Sequence, residues 1–145
     1  MEILKTYLDI TVFGLLGLMS FILVWFTIER QLFFRRVDLQ QYDSPEALKI
    51  ASTHNLTTIA SIGSNAPYIG LLGTVLGILV TFYDLGLNNQ IETGQIMVGL
   101  ALALKATAGG IALAIPSIII YNGLLRKVDR LALEYQAWQK QPLQT

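Results

Sequence analysis

Apolar stretches without charge alternate with short charged segments along the chain, and three are long enough to cross a bilayer as helices. The first is ITVFGLLGLMSFILVWFTI, residues 10–28, nineteen residues bounded by Asp9 and Glu29. About 20 apolar residues suffice for a helical span. A removable signal peptide fits poorly, because no small-x-small cleavage site follows and the stretch runs straight into ERQLFFRR. The second stretch is the charge-free run 55–83, most apolar over 59–83, and the third covers 96–122 between Glu92 and Arg126. The polar turn DLGLNNQIETGQ, 84–95, joins these two as an antiparallel hairpin. The pattern predicts an all-α, three-span membrane protein. Residues 1–9 form an external amino terminus, and helical regions at 29–57 and 123–145 extend into the cytoplasm.

Those flanking regions carry their own signals. Ser44-Pro45-Glu46 supplies an N-cap, a proline for the first turn and an acid behind it, which predicts a helix over 45–53. In the tail, Leu124, Val128, Leu131, Tyr135 and Trp138 recur at steps of four and three. This a/d seam continues span three and needs a partner surface, for which self-association is the simplest supply.

Charge then sets the orientation. Arg30, Arg35, Arg36, Lys49, Arg126, Lys127, Arg130 and Lys140 flank one side of the spans, against Lys5 alone on the other. Eight against one places the amino terminus outside and the carboxy-terminal tail in the cytoplasm. Only 14% of residues are charged, and the mean hydropathy is +0.54. Both values depart from soluble domains, where about a quarter of residues are charged. With no cysteine there is no disulfide framework, thiolate nucleophile or Cys-based metal site. The lone His54 reads as a solvated residue at a helix end. Zero net charge and the lack of a basic tract argue against nucleic acid. No phosphate-binding or dinucleotide motif is present, so neither a cofactor nor an enzyme is expected.

Small residues crowd spans two and three. Gly70, Gly73 and Gly77 lie on one face of span two, and span three carries Gly109 and Gly110 among many alanines. Such surface is wasted against lipid. It serves either a tightly packed hairpin core or a ring of helices around something that must fit closely, in which case these faces make subunit and pore contacts. Pro67 and Pro116 each remove an intrahelical hydrogen bond, and Pro67 is expected to bend its helix. Thr74 and Thr107 fall at similar depth on antiparallel helices, which favours a shared cavity.

Lys105 is the one ionisable group in its span. A charged lysine at a helix centre costs about 2.5–3.5 kcal/mol on insertion scales, so lipid is its least favourable surrounding. With about 100° per residue it lies about 60° from Leu102 and about 160° from Thr107. No carboxylate of the chain is expected at its depth. Either it stays charged against an acid at a subunit contact or on a partner, or it loses and regains a proton in a water-poor site.

APYIGLLGTVLGI at 66–78 and ALALKATAGGIALAIPSIIIYN at 101–122 resemble the paired signatures of the MotA/TolQ/ExbB proton-channel family, on the ExbB/TolQ side. Glu29-Arg30 resembles the family's acidic-basic pair at the end of span one. The resemblance covers roughly 59–128. It implies a pentameric homo-oligomer in the bacterial inner membrane whose second and third spans line a pore. An ExbD/TolR-like single-span protein would fill that pore, and proton motive force would energise a TonB- or Tol-type protein. It assigns Thr74 and Thr107 to the pore lining and matches Pro67 and Pro116 to family prolines. Better-known members carry a glutamate five residues before the second threonine, where this chain has Leu102. The short segment between spans one and two marks a compact subtype.

Two other classes compete with this transducer: a passive membrane scaffold for a partner helix, and a stand-alone small transporter. A self-sufficient proton carrier is expected to hold an acid or histidine within the membrane. None lies inside the three spans, so the titrating acid is expected on a partner.

Overall fold

The structure, a computed structural model, describes residues 2–89 and 92–141. Their regular structure is helical: α1 at Glu2–Arg36, a 3-10 turn at Leu39–Gln41, α2 at Pro45–Ser52, α3 at Leu56–Asn88 and α4 at Thr93–Gln139. The protein is all-α, and α1, α3 and α4 are each long and apolar enough to cross a membrane. These helices outrun the uncharged stretches, because helical hydrogen bonding continues past the last apolar residue wherever nothing breaks it.

Local chemistry explains where they start and turn. The Ser44 hydroxyl accepts from the Ala47 amide at 3.1 Å, and Pro45 occupies the first turn of α2. Between α2 and α3 the backbone of Asn55 is left-handed, at φ 66°. Asparagine tolerates that conformation better than most side chains do.

α3 packs antiparallel to α4. Near the α3–α4 turn, which we call the hairpin end, Thr81 lies against Gly99, while at the opposite, α2 end the Ser117 hydroxyl donates to the Ile59 carbonyl at 3.1 Å. α1 lies over both helices. It is tied at the hairpin end by Lys5–Asp84 at 2.9 Å and at the α2 end by Lys127 donating to Gln31. α1 and α4 therefore run parallel. Leu16, Leu23, Leu56, Ile59, Ala66, Ala106 and Leu113 form the buried centre. Phe21, Trp25, Leu72, Leu79 and Ile119 point outward. So large an apolar exterior suits lipid or other membrane helices, not water.

The tail departs from expectation. Leu124, Val128, Leu131 and Tyr135 are buried within the chain, and the Tyr135 hydroxyl donates to the Tyr42 carbonyl at 2.9 Å. Leu48 and Ser52 of α2 line the same seam. Self-association is thus not needed to cover it, because the segment between spans one and two folds back onto α4. Trp138 alone of the seam stays 40% exposed.

Candidate functional site

Close backbone approach builds the centre of the hairpin. A Cβ added to Gly70 would stand 2.4 Å from the Ala106 carbonyl oxygen, and one on Gly110 would stand 2.4 Å from that of Ala66. Both lie far inside contact distance, so α3 and α4 touch through backbone there. At Gly73 the added atom would meet Ala106 Cβ at 2.8 Å and Val12 Cγ1 at 2.9 Å, and at Gly77 it would meet Ala103 Cβ at 3.0 Å. Gly109 faces Phe13 and Leu16 of α1. Of the two uses expected for these glycines, the packed hairpin core is the one seen within the chain, where Gly70, Gly73 and Gly110 are buried and Gly77 and Gly109 half-buried. Ala101, Ala108 and Ala112 remain exposed on α4.

This approach brings the two predicted threonines together. Thr74 is buried and Thr107 half-buried, with their hydroxyl oxygens 2.7 Å apart. Thr74 Oγ1 also lies 2.8 Å from the Ala103 carbonyl and 3.3 Å from that of Gly70. Each hydroxyl has one proton to donate. Thr107 has no other acceptor among the described residues, so it donates to Thr74 and Thr74 donates to Ala103. Thr107 then presents only lone pairs on its open side.

Lys105 takes no part in this pair. It is exposed on α4, as is Leu102. Against the expectation that no carboxylate shares its depth, Gly109 faces both Phe13 and Leu16, which sets Asp9 of α1 within about one turn of Lys105 along the parallel helices. Charge-free runs in the sequence show where one span sits, not how two spans are offset. Asp9 and Leu102 both line an open cleft of about 790 Å³ between α1 and the hairpin, with Lys5, Thr81, Glu92 and Ala103 also in its walls.

Pro67 is half-buried and Pro116 exposed, and both lie within continuous helices. The buried Ser117 escaped sequence reasoning, although a single serine among isoleucines was the available signal. Its bond to Ile59 joins α4 to α3 below the threonines.

A second polar centre closes the α2 end. Arg30 is buried, with 3% exposure. Its Nε donates to Glu29 Oε2 at 2.7 Å and its second terminal nitrogen pairs with Glu29 Oε1. The remaining terminal nitrogen donates to the Ala51 carbonyl at 2.8 Å, and the guanidinium lies 4.5 Å from the centre of the Phe33 ring. Asn55 Nδ2 donates to Glu29 at 3.2 Å. Just beyond the uncharged stretch 10–28, the bond from Arg30 holds the Glu29 carboxyl below the usual carboxylate range. This set locks α1 to the turn between α2 and α3. Among the described residues no group of three His, Cys, Asp or Glu side chains is placed to hold a metal.

Residues 25–137 match the model of the MotA/TolQ/ExbB proton channel family. The "Biopolymer transport protein ExbB" of Helicobacter pylori is 54% identical over 136 residues, covering 94% of each chain. The protein of the same name from Aquifex aeolicus is 49% identical over 137 residues, covering 94% of this chain and 93% of its own. That from Pseudomonas putida is 39% identical over 87 residues, 57% of this chain and 26% of the relative. Similarity thus extends across three long apolar helices, the threonine pair and the locked Glu29-Arg30 junction, and the chain belongs to the MotA/TolQ/ExbB proton channel family.

Proposed function

We propose that this chain is an ExbB-like subunit of a proton-channel motor in the bacterial inner membrane. Copies assemble into a homo-oligomeric ring, a pentamer, around an ExbD/TolR-like single-span partner. The motor uses the proton motive force to energise a TonB-like protein and, through it, transport across the outer membrane. The observation that carries this reading is the match to proteins named ExbB over nearly the whole of both chains. It also favours the TonB system over a Tol-Pal-type motor or a passive scaffold.

The threonine pair suits such a role. With its proton directed at Thr74, Thr107 accepts a hydrogen bond from water or from a protonated partner carboxyl. When that carboxyl ionises, Thr107 rotates and donates to it, while Thr74 keeps its bond to Ala103. The switch forfeits one hydrogen bond, about 0.5–1.5 kcal/mol. A hydroxyl that serves both protonation states at so small a cost helps a proton pass through the acid, and α4 itself supplies no carboxylate beside it.

The test is protonophore-sensitive uptake through an outer-membrane receptor in cells lacking this gene. Uptake is lost on deletion and restored by the natural chain with its single-span partner. Unchanged uptake after deletion would overturn the reading.

A further inference from the structure

We infer that Asp9 and Lys105 of one chain form an ion pair at the edge of the cleft between α1 and α4, so that the acid neutralising Lys105 comes from the chain's own first span. The inference goes beyond the transport reading and rests on helix register. Lys127 bonds to Gln31 across 96 positions, and Gly109 packs against Phe13 at the same separation and against Leu16 at 93. Asp9 and Lys105 are separated by the first of these intervals. Parallel helices with these offsets place Asp9 within about one turn of Lys105, above the Phe13–Gly109 contact.

Direction favours the pair. Side chains on a helix lean toward its N-terminus. The N-termini of α1 and α4 both lie at the hairpin end, so Asp9 and Lys105 lean the same way. Lys105 lies about 20° around α4 from Val98 and about 60° from Leu102, and both of those residues line the cleft. A rotation of its flexible four-carbon stem carries the ammonium from the exposed face to the cleft wall, where Asp9 stands.

Competition among charges points to the same pairing. The cleft also holds Glu2, Lys5 and Glu92. Lys5 is engaged by Asp84 at 2.9 Å, while Glu2 and Glu92 lie further toward the hairpin end. Neither Asp9 nor Lys105 is in an ion pair among the described residues. Asp9 is the acid nearest the level of Lys105, and Lys105 is the cation nearest Asp9 that has no acid of its own.

The chain has no cysteine, so Asp9→Cys/Lys105→Cys carries a single thiol pair. This variant removes both charges together and folds if the two neutralise each other. A short bis-maleimide applied to membrane vesicles containing the full assembly is expected to bridge the two thiols within one chain. Intact mass gives the readout, with one linker added and no doubling of chain mass. In parallel, Asp9→Asn and Lys105→Met are each expected to lower the melting temperature of the extracted assembly by about 5 °C or more. The double substitution recovers most of that loss. Absence of the bridge, bridges only between chains, or additive losses in the double variant would each overturn the pair, whatever uptake shows.

Discussion

Thr74 and Arg30 are both polar and buried, yet they ask different things of a substitution. Either Val substitution keeps shape; Thr107→Val removes one interhelical hydrogen bond and Thr74→Val removes two, each worth about 0.6 kcal/mol and at most about 1.7. Either variant should therefore assemble normally while energised uptake falls at least tenfold, measured beside the amount of ring in the membrane. Full uptake in both would leave the threonines as packing alone. Arg30→Met instead abandons the Glu29 carboxylate and the Ala51 carbonyl. It should lower the melting temperature clearly more than Arg130→Met, whose exposed i,i+4 pair with Glu134 contributes about 0.3–0.5 kcal/mol. The sequence showed which side chains were polar inside apolar runs. It did not show that Arg30 reaches Ala51, because that contact crosses 21 positions and depends on how α2 folds back.

At the scale of the element, glycine has value only where another backbone arrives. Gly70 and Gly110 sit at such places, whereas nothing lies within 4 Å of a Cβ added to Gly123. Gly110→Ala should lower the melting temperature of the extracted protein, and Gly123→Ala should leave it equal or raise it. An alanine removes the conformational cost of glycine, about 0.5–1 kcal/mol, wherever space permits. Equal losses at both sites would show that the backbone contact is not what holds the hairpin. The same distinction explains the tail. Its period identified an apolar seam, but period alone names no partner, and α2 with Tyr42 turned out to cover it. Tyr135→Phe, which leaves the Tyr42 carbonyl without this donor, should cost about 1 kcal/mol in chemical unfolding.

For the molecule as a whole, the Lys/Arg asymmetry predicts which end faces which compartment. A reporter fused after Gln141 should read cytoplasmic, and a membrane-impermeant reagent should label a cysteine placed at Asn88 from outside. Labelling only after the inner membrane is permeabilised would reverse the topology. Three long apolar helices, the hairpin order and the start of α2 at Pro45 were all legible in the chain, because composition and local capping decide them one segment at a time. Which small face turns inward, which threonine donates to which, and that Asp9 shares a cleft with Leu102 belong to the tertiary structure. A helical period fixes the angle of a residue around its own axis. The offset between two axes is fixed only where side chains and backbones meet, here at Gly70 against Ala106 and at Gly109 against Phe13.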